Sequence, residues 1–382
     1  MNTQAHIAAS PACSPEDTRP LVLHVVTALD FGGVESHMAM LGRLRRHGSY
    51  RHAFCAIGQG GRVGDALSIG GAQVICLGAA VRIPSMAALA ALLRCMRTLR
   101  PTVVHAHGAE ANFHALPIAA LAGVPVRIGE EIGIPAHGRL ARFGFRTAFG
   151  SAQRVLGVSQ SVRDWLVRTG EVPAGKALTL LNPVEIPAVI DAVELAPTPL
   201  RIGFVGRLEP VKNLEALVAA FAQLLASGVN AQLQLVGEGS LRARLEALAM
   251  QLGVRRRIDF AGFQDDPAPL MRQWHLAVLP SLSEGFGLAL VEAMGCQVPV
   301  VATQVGVAPD IIQDGVSGWL VDGFDSDAIA RALQRACALP PARLRAIGQC
   351  ARIQVRDMFD PREYLTQLEA LYRSLDLRDS AR

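Results

Sequence analysis

Pro280-Ser281-Leu282-Ser283-Glu284-Gly285-Phe286-Gly287-Leu288-Ala289-Leu290-Val291-Glu292-Ala293-Met294 is the stretch that decides the fold. An apolar run at 276–280 leads into it, a glycine-bearing loop follows, and an apolar helical pattern starts near Gly287. A strand, a glycine loop and a helix in that order form the phosphate-binding turn of a parallel α/β sheet. The amides of Gly285, Phe286, Gly287 and Leu288 would aim at an anion from a helix N-terminus. Glu284 lies in the loop, and Glu292 about one and a half turns into the helix, where a free carboxylate among apolar neighbours is costly. A carboxylate offers several acceptor sites and no donor, which suits a vicinal diol. A helix-capping acid and a surface acid are the plainer readings of the same two residues.

Outward from this stretch the pattern repeats. Strand-like runs fall at 21–26, 53–57, 73–77, 102–105, 124–128 and 154–158, then at 200–205, 231–236, 257–261, 276–280, 299–302 and 318–321. Helix-like segments such as 86–99, 214–225 and 241–252 alternate with them. Continuous apolar strands between helices predict parallel sheets covered on both faces. The fold class is therefore α/β, with two doubly wound domains facing across a cleft. Four prolines between Pro183 and Pro199 mark an interdomain linker. The expected layout is a mobile leader at 1–19, a first domain at 20–184, a linker at 185–199 and a second domain at 200–359. A last helix at about 360–376 packs back onto the first domain.

Composition narrows the function classes. The 382 residues are 51% hydrophobic and 18% charged, which excludes a largely disordered chain. Residues 1–190 carry 18 Lys+Arg against 11 Asp+Glu, and residues 191–382 carry 19 against 22, so +7 and −3 sum to the net +4. Few aromatics interleave with the basic residues, which disfavours nucleic-acid binding. Seven cysteines without C-x-x-C spacing read as buried thiols of a cytoplasmic protein. The first 19 residues lack the basic start and apolar run of a signal peptide.

Two more strand-to-helix turns carry chemistry. Val205-Gly206-Arg207-Leu208 runs on to Lys212-Asn213, in a chain with 35 Arg and only two Lys. A lysine kept where arginine is otherwise used points to a need for a compact ammonium. With Arg207 it would hold a diphosphate, unless the two are simply a solvated loop pair. Gly32-Gly33-Val34-Glu35 lets a backbone approach an anion, or is a plain tight turn.

Together these motifs resemble the retaining glycosyltransferase family 4, whose GT-B fold pairs two Rossmann-like domains. Glu284 and Glu292 form its E-x7-E element; Gly237-Glu238-Gly239, Pro299-Val300-Val301-Ala302-Thr303, Asp314-Gly315 with Gly318, and Val103-Val104-His105-Ala106-His107 also match. The resemblance spans roughly 21 to 375. Asn182-Pro183-Val184-Glu185, Gly295-Cys296-Gln297 and Asp310 depart from the family pattern without removing a charged donor-binding group.

The resemblance implies a UDP-, GDP- or ADP-sugar donor and no cofactor. Arg207 and Lys212 would bind the diphosphate, Glu292 the ribose, Glu284 the transferred sugar, and Gly33 the phosphate from the first domain. Glu238 and Phe263 would border the base, and His107 would stand near the reacting sugar or be a satisfied strand-end histidine. His105 is assigned to the opposite face. Transfer would proceed with retention to a glycan or lipid-linked hydroxyl, in bacterial cell-surface polysaccharide or glycolipid synthesis. Asp325-Ser326-Asp327 reads as a helix cap, so metal-independent chemistry is expected. Glu130 and Glu131 would bind acceptor hydroxyls, or one of them is merely solvated. Arg139, Arg142 and Arg146, with Arg43, Arg45 and Arg46, would make one basic surface for anionic lipid at the inner face of the cell membrane, or belong to an ordinary amphipathic helix. A nucleotide-sugar epimerase on the same fold and a non-catalytic nucleotide-sugar-binding protein are the competing readings.

Overall fold

A computed structural model describes residues 17–30, 32–135, 137–186 and 198–379. The chain divides into two compact units, one formed by 1–183 with 361–382 and the other by 184–360.

The first unit runs β1 (Leu21–Val26), α1 (Gly33–Leu44), β2 (Arg51–Ala56), α2 (Arg62–Ile69), β3 (Gln73–Cys76), α3 (Met86–Leu99), β4 (Val103–His107), α4 (Ala109–Leu121), β5 (Val126–Glu131), α5 (Arg139–Gly150), β6 (Arg154–Gly157), α6 (Gln160–Arg168) and β7 (Ala177–Thr179). Its seven strands lie parallel in the order β3-β2-β1-β4-β5-β6-β7. The order leaves β1 in one direction and β4 in the other. Right-handed crossovers therefore put α1 and α2 on one face and α4 to α6 on the other. The packing agrees: α1 meets α2, while α3, α4 and α5 pack in sequence. Every residue of β1 and β4 is buried, as a sheet covered on both sides requires.

The second unit runs β8 (Leu200–Val205), α7 (Leu214–Ala226), β9 (Ala231–Val236), α8 (Arg242–Gln251), β10 (Ile258–Gly262), α9 (Ala268–Met271), β11 (Leu276–Leu279), α10 (Leu288–Gly295), β12 (Val300–Thr303), α11 (Ala308–Ile311), β13 (Gly318–Val321), α12 (Ser326–Cys337) and α13 (Pro341–Met358). Its strand order is β10-β9-β8-β11-β12-β13, so the topological switch lies between β8 and β11. Phe204, Leu217, Phe221, Leu235, Val278 and Val301 are buried in its core. The chain then returns to the first unit as α14 (Pro361–Asp379), which packs on α1 and buries Tyr364, Leu368 and Tyr372.

Several expectations are corrected. Residues 17–19 belong to the folded part: Arg19 binds the Asp17 carboxylate and the Gly48 carbonyl (2.9 Å each), while the rest of the expected leader lies outside the described residues. Val184 and Ile186 join the second unit, through a bond from the Val184 amide to the Phe359 carbonyl (3.1 Å) and packing of Ile186 on Gly295; linker residues 187–197 lie outside the described residues. β7 was not anticipated, being three residues long. Lys176 just before it donates to the Gly150 and Ala152 carbonyls (3.0 and 2.9 Å), neutralising the C-terminal end of α5. The basic residues do not form one surface either. Arg43, Arg45 and Arg46 end α1 on one face of the sheet, and α5 lies on the other. Arg45 is also tied down, by the carbonyls of Gly42 and Gly70.

Gly203 in β8 marks the tightest approach in the second core. A Cβ there would fall 2.0–2.3 Å from ring atoms of Trp274, whose indole N–H donates to Gln234 (2.8 Å). Gly203→Ala should cost about 1–3 kcal/mol, read as a lower urea midpoint at unchanged slope.

Candidate active site

In the second unit the predicted residues gather at the carboxyl edge of the sheet. Arg207 and Lys212 follow β8, Glu238 follows β9, Phe263 follows β10, and the 281–287 loop follows β11. The loops after β8 and β11 straddle the switch point and are fastened together. Lys212 Nζ sits 2.5 Å from Glu284 Oε1, with 19% and 15% of the two side chains exposed. Ser281 Oγ donates to the same oxygen (2.7 Å), and the Leu282 amide donates to the Val211 carbonyl (2.8 Å). Behind the loop, Thr303 Oγ1 donates to the Ser281 carbonyl (2.6 Å) and the Val307 amide to the Phe286 carbonyl (2.8 Å). Gly306 presses so close that a Cβ would stand 2.4 Å from the Phe286 carbonyl oxygen.

The loop ends at Gly287, whose φ of +102° suits only glycine and which makes no side-chain cap to α10. First-turn amides of a helix lack intrahelical acceptors; here the Leu290 amide is met by the Gly287 carbonyl (2.9 Å). Glu292 lies on the accessible side of α10, where partial burial first, and then the Asp266 carboxylate, raise its pKa. Arg207 is exposed; Glu238 is 52% exposed and pairs with Arg242 (2.6 Å). Phe263 is 52% exposed beside it, since Gly262 lies against the Glu238 carboxylate. Asp325 is the cap of α12, accepting from the Ala328 amide at 2.8 Å.

The first unit builds something different. Gly33 opens α1, whose Gly32 N-cap makes no side-chain bond. Glu130 and Glu131, at the end of β5, are only 1% and 2% exposed, so neither is solvated. Asn112 on α4 bonds the Glu130 backbone in both directions (2.8 and 3.2 Å) and fixes the strand end. Glu130 Oε1 pairs with His107 Nδ1 (3.0 Å), and His107 Nε2 with His24 Nδ1 (3.0 Å). His107 is 1% exposed, and in this state both ring nitrogens are taken within the protein. His105 is corrected to the same face as His107, because residues two apart in a strand share a side. Their ring centroids are 4.0 Å apart, and His105 Nδ1 meets Tyr372 OH at 2.8 Å.

His24, His37 and His52 complete this cluster and were not anticipated. His24 stands in the apolar run at 21–26 and His52 just before the run at 53–57, while His37 is on α1; a histidine on each of β1, β2 and β4 was the available signal. His24, His105 and His107 offer ring nitrogens within 4.8 Å of one another, and ring nitrogens of His37 and His107 with a carboxylate oxygen of Glu130 do the same, which is close enough for a metal ion. The nitrogens of His24 and His107 are nevertheless already paired.

Burial, reinforced by neighbouring histidines, holds His24 and His105 well below the usual range. It brings His37 to about 4, although the Glu130 charge opposes the shift. Burial would raise Glu130, but His107, His37 and His105 outweigh it and hold the carboxyl at about 2. Glu131 has no such company. Burial lifts it to about 8, against the amides of Ile132 and Gly133 and with help from Glu171 and Glu110.

A family model described as Glycosyltransferase Family 4 matches residues 31–186, and one described as Glycosyl transferases group 1 matches 187–352. The N-acetyl-alpha-D-glucosaminyl L-malate synthase of Bacillus anthracis is 36% identical over 177 residues, 46% of this chain and 45% of that protein. The D-inositol 3-phosphate glycosyltransferase of Segniliparus rotundus is 35% identical over 185 residues, 47% of this chain and 41% of that protein. The matched region is thus less than half the length of these relatives. Among solved structures, Anabaena HepE in complex with UDP superposes with a TM-score of 0.77 at 20% identity, covering 92% of this chain and 99% of that one. The lipopolysaccharide outer core galactosyltransferase WaaB gives 0.77 at 18% identity, with 93% and 99% covered.

The buried groups predict how stability varies with pH. Between the unfolded histidine value of 6.5 and their folded values, His24, His37 and His105 stay neutral while their unfolded counterparts take protons. Stability is therefore lost as pH falls below 6.5, by up to about 1.4 kcal/mol per unit for each. Glu131 acts oppositely: protonated when folded and ionised when unfolded, it weakens the fold most above pH 8, and that cost fades on acidification. The urea midpoint should peak near pH 6.5, and Glu131→Gln should flatten the alkaline limb up to about pH 8 and steepen the acid limb down to about pH 4.5.

Proposed function

The chain belongs to glycosyltransferase family 4 and has the GT-B fold of two Rossmann-like domains, and we propose that it transfers a sugar from a nucleotide diphosphate to an acceptor hydroxyl. The observation that supports this most is the Lys212–Glu284 pair beside the uncapped start of α10. An ammonium, a guanidinium at Arg207 and a row of backbone amides suit the charge that develops on a departing diphosphate. Removing one such donor typically costs about 10²–10³ in rate.

In this reading a phosphate displaces Glu284 from Lys212, freeing that carboxylate for the transferred sugar. Glu292, on the accessible side of α10, takes the ribose hydroxyls, since a carboxylate offers several acceptor sites to a diol. Glu238 and Phe263 flank the base. HepE binds UDP, which favours a uridine donor here too. Retention, and transfer without a metal, are proposed from family membership. Glu130 and Glu131 shape the first unit's strand end from within, and His107 braces it instead of touching substrate. The acceptor is proposed to be a glycan or lipid-linked hydroxyl in cell-surface polysaccharide or glycolipid synthesis.

A thermal-shift series with UDP-, GDP- and ADP-sugars tests the donor site. A ligand at about 100 times its Kd should add about 2.7 kcal/mol. The response should vanish in Lys212→Ala, and no response to any of the three would defeat the proposal.

No helix among the described residues is long and apolar enough to cross a membrane. We propose peripheral contact through α5, where Leu140 (86% exposed) and Phe143 (70%) lie among the exposed Arg139, Arg142 and Arg146, while Phe145 and Phe149 face the core. Such a helix rests on anionic lipid at the cytoplasmic face. Flotation with phosphatidylserine vesicles should drop several-fold in Arg142→Glu/Arg146→Glu; flotation indifferent to lipid charge would refute the contact.

A further inference from the structure

Three histidines ring one buried carboxylate at the carboxyl edge of the first sheet. His107 Nδ1 stands 3.0 Å from Glu130 Oε1, and His37 Nδ1 stands 3.9 Å from the same oxygen. His105 Nε2 lies 3.5 Å from the other oxygen, Oε2. None of the four side chains is more than 3% exposed. Three polar atoms of this ring, His37 Nε2, His105 Nε2 and Glu130 Oε2, have no hydrogen-bond partner. Buried polar atoms without partners call for an explanation, and an ion is one.

The spacing and the donor types fit a particular class of ion. Ligands about 2.0–2.1 Å from a tetrahedral zinc stand about 3.3–3.4 Å from one another. The separations of 3.0, 3.5 and 3.9 Å between the three nitrogens and the carboxylate straddle that spacing. The outer nitrogens are held as those of metal-bound histidines are: His107 Nε2 by His24 Nδ1 (3.0 Å), and His105 Nδ1 by Tyr372 OH (2.8 Å). Asn112 fixes the backbone of Glu130 from both sides. His105 and His107, two apart on β4, present their rings to one face.

We infer that His37, His105, His107 and Glu130 form a site for one divalent transition-metal ion, which ties α1, β4 and β5 together. Three imidazoles and a carboxylate suit zinc. The contact between His107 and Glu130 is then one between two ligands and does not compete with the ion. His24, His105 and His107 also cluster, but that set has no anion and spends His24 Nδ1 and His107 Nε2 on each other.

The hydrogen count closes around such an ion. A neutral imidazole coordinates through its lone pair and keeps one N–H. With Nδ1 bound to metal, His107 carries its N–H on Nε2 and donates to His24 Nδ1, and His24 donates through Nε2 to His52 Nδ1 (2.9 Å). His52 keeps its N–H on Nε2, an atom with no hydrogen-bond partner that faces Glu369 Oε1 at 3.8 Å. The ion exchanges bound waters for protein ligands, and Glu130 and Glu369 supply the two negative charges that a buried dication needs. The ion takes no part in the proposed sugar transfer, so the inference stands apart from that reading.

Metal binding by the full chain tests it. After dialysis against chelator and incubation with zinc alone, one equivalent should stay with the protein through gel filtration. Cobalt(II) should take its place with the absorption of a four-coordinate nitrogen and oxygen site. Glu130→Gln and His37→Gln should each abolish binding. Tyr372→Phe keeps the packing and removes only the partner of His105, so it should weaken zinc about 10–100-fold; it covers a folding failure in the other two. No bound metal, zinc held as tightly by a folded Glu130→Gln chain, or unchanged affinity in Tyr372→Phe would overturn the inference. So would a thiolate band in the cobalt spectrum, which would put the ion on a cysteine.

Discussion

A half-buried ammonium–carboxylate contact, Lys212 to Glu284, spans the place where the second sheet reverses its direction of growth. β8 and β11 are hydrogen-bonded neighbours, yet their crossovers leave to opposite sides, so two loops must meet over a gap that neither strand fills. The pair closes that gap, and the shielding of both side chains keeps it from being screened as an exposed pair is. The Val211–Leu282 bond, the Thr303 hydroxyl and the bare backbone of Gly306 then hold the β11 loop at one height.

Much of this was legible in the sequence. The apolar runs, the glycine turns and the start of α10 at Leu288 follow from local pattern, because a buried parallel strand and a glycine at positive φ constrain residue type directly. That Arg207, Lys212, Glu238, Phe263 and the 281–287 loop share one edge of the second sheet was legible for the same reason, as each sits within a few positions of a strand end. Strand order was not. Without it, Arg43 and Arg139 look like members of one basic surface, although the sheet separates their helices. β7 is too short to leave a periodic trace, and its pairing with β6 is supplied by the sheet. His24, His52 and Glu369 lie far apart in sequence and meet only because β1 and β2 are neighbours and α14 comes back.

The two units treat polar groups at their strand ends in opposite ways. In the second, Arg207, Glu238 and Glu292 remain accessible and keep their charged groups at the surface. In the first, the polar groups turn inward and the question is which of them keep a charge in the dark. Glu130 does, since three histidines surround it. Glu131, one residue on and facing the other way, has only two amides and further acids nearby, and so favours its neutral form. Strand alternation alone gives adjacent carboxylates different chemistry.

The covalent path of the chain gives the first unit an unusual history. Its last helix, α14, comes after all of the second unit, so the first unit is a host into which the second is inserted. During synthesis the amino-terminal unit is begun first and finished last. Until residue 361 and those after it are made, His105 on β4 lacks its Tyr372 partner and α1 lacks the helix that packs on it. All the strands of the inserted unit, through Val321, precede that point in the chain.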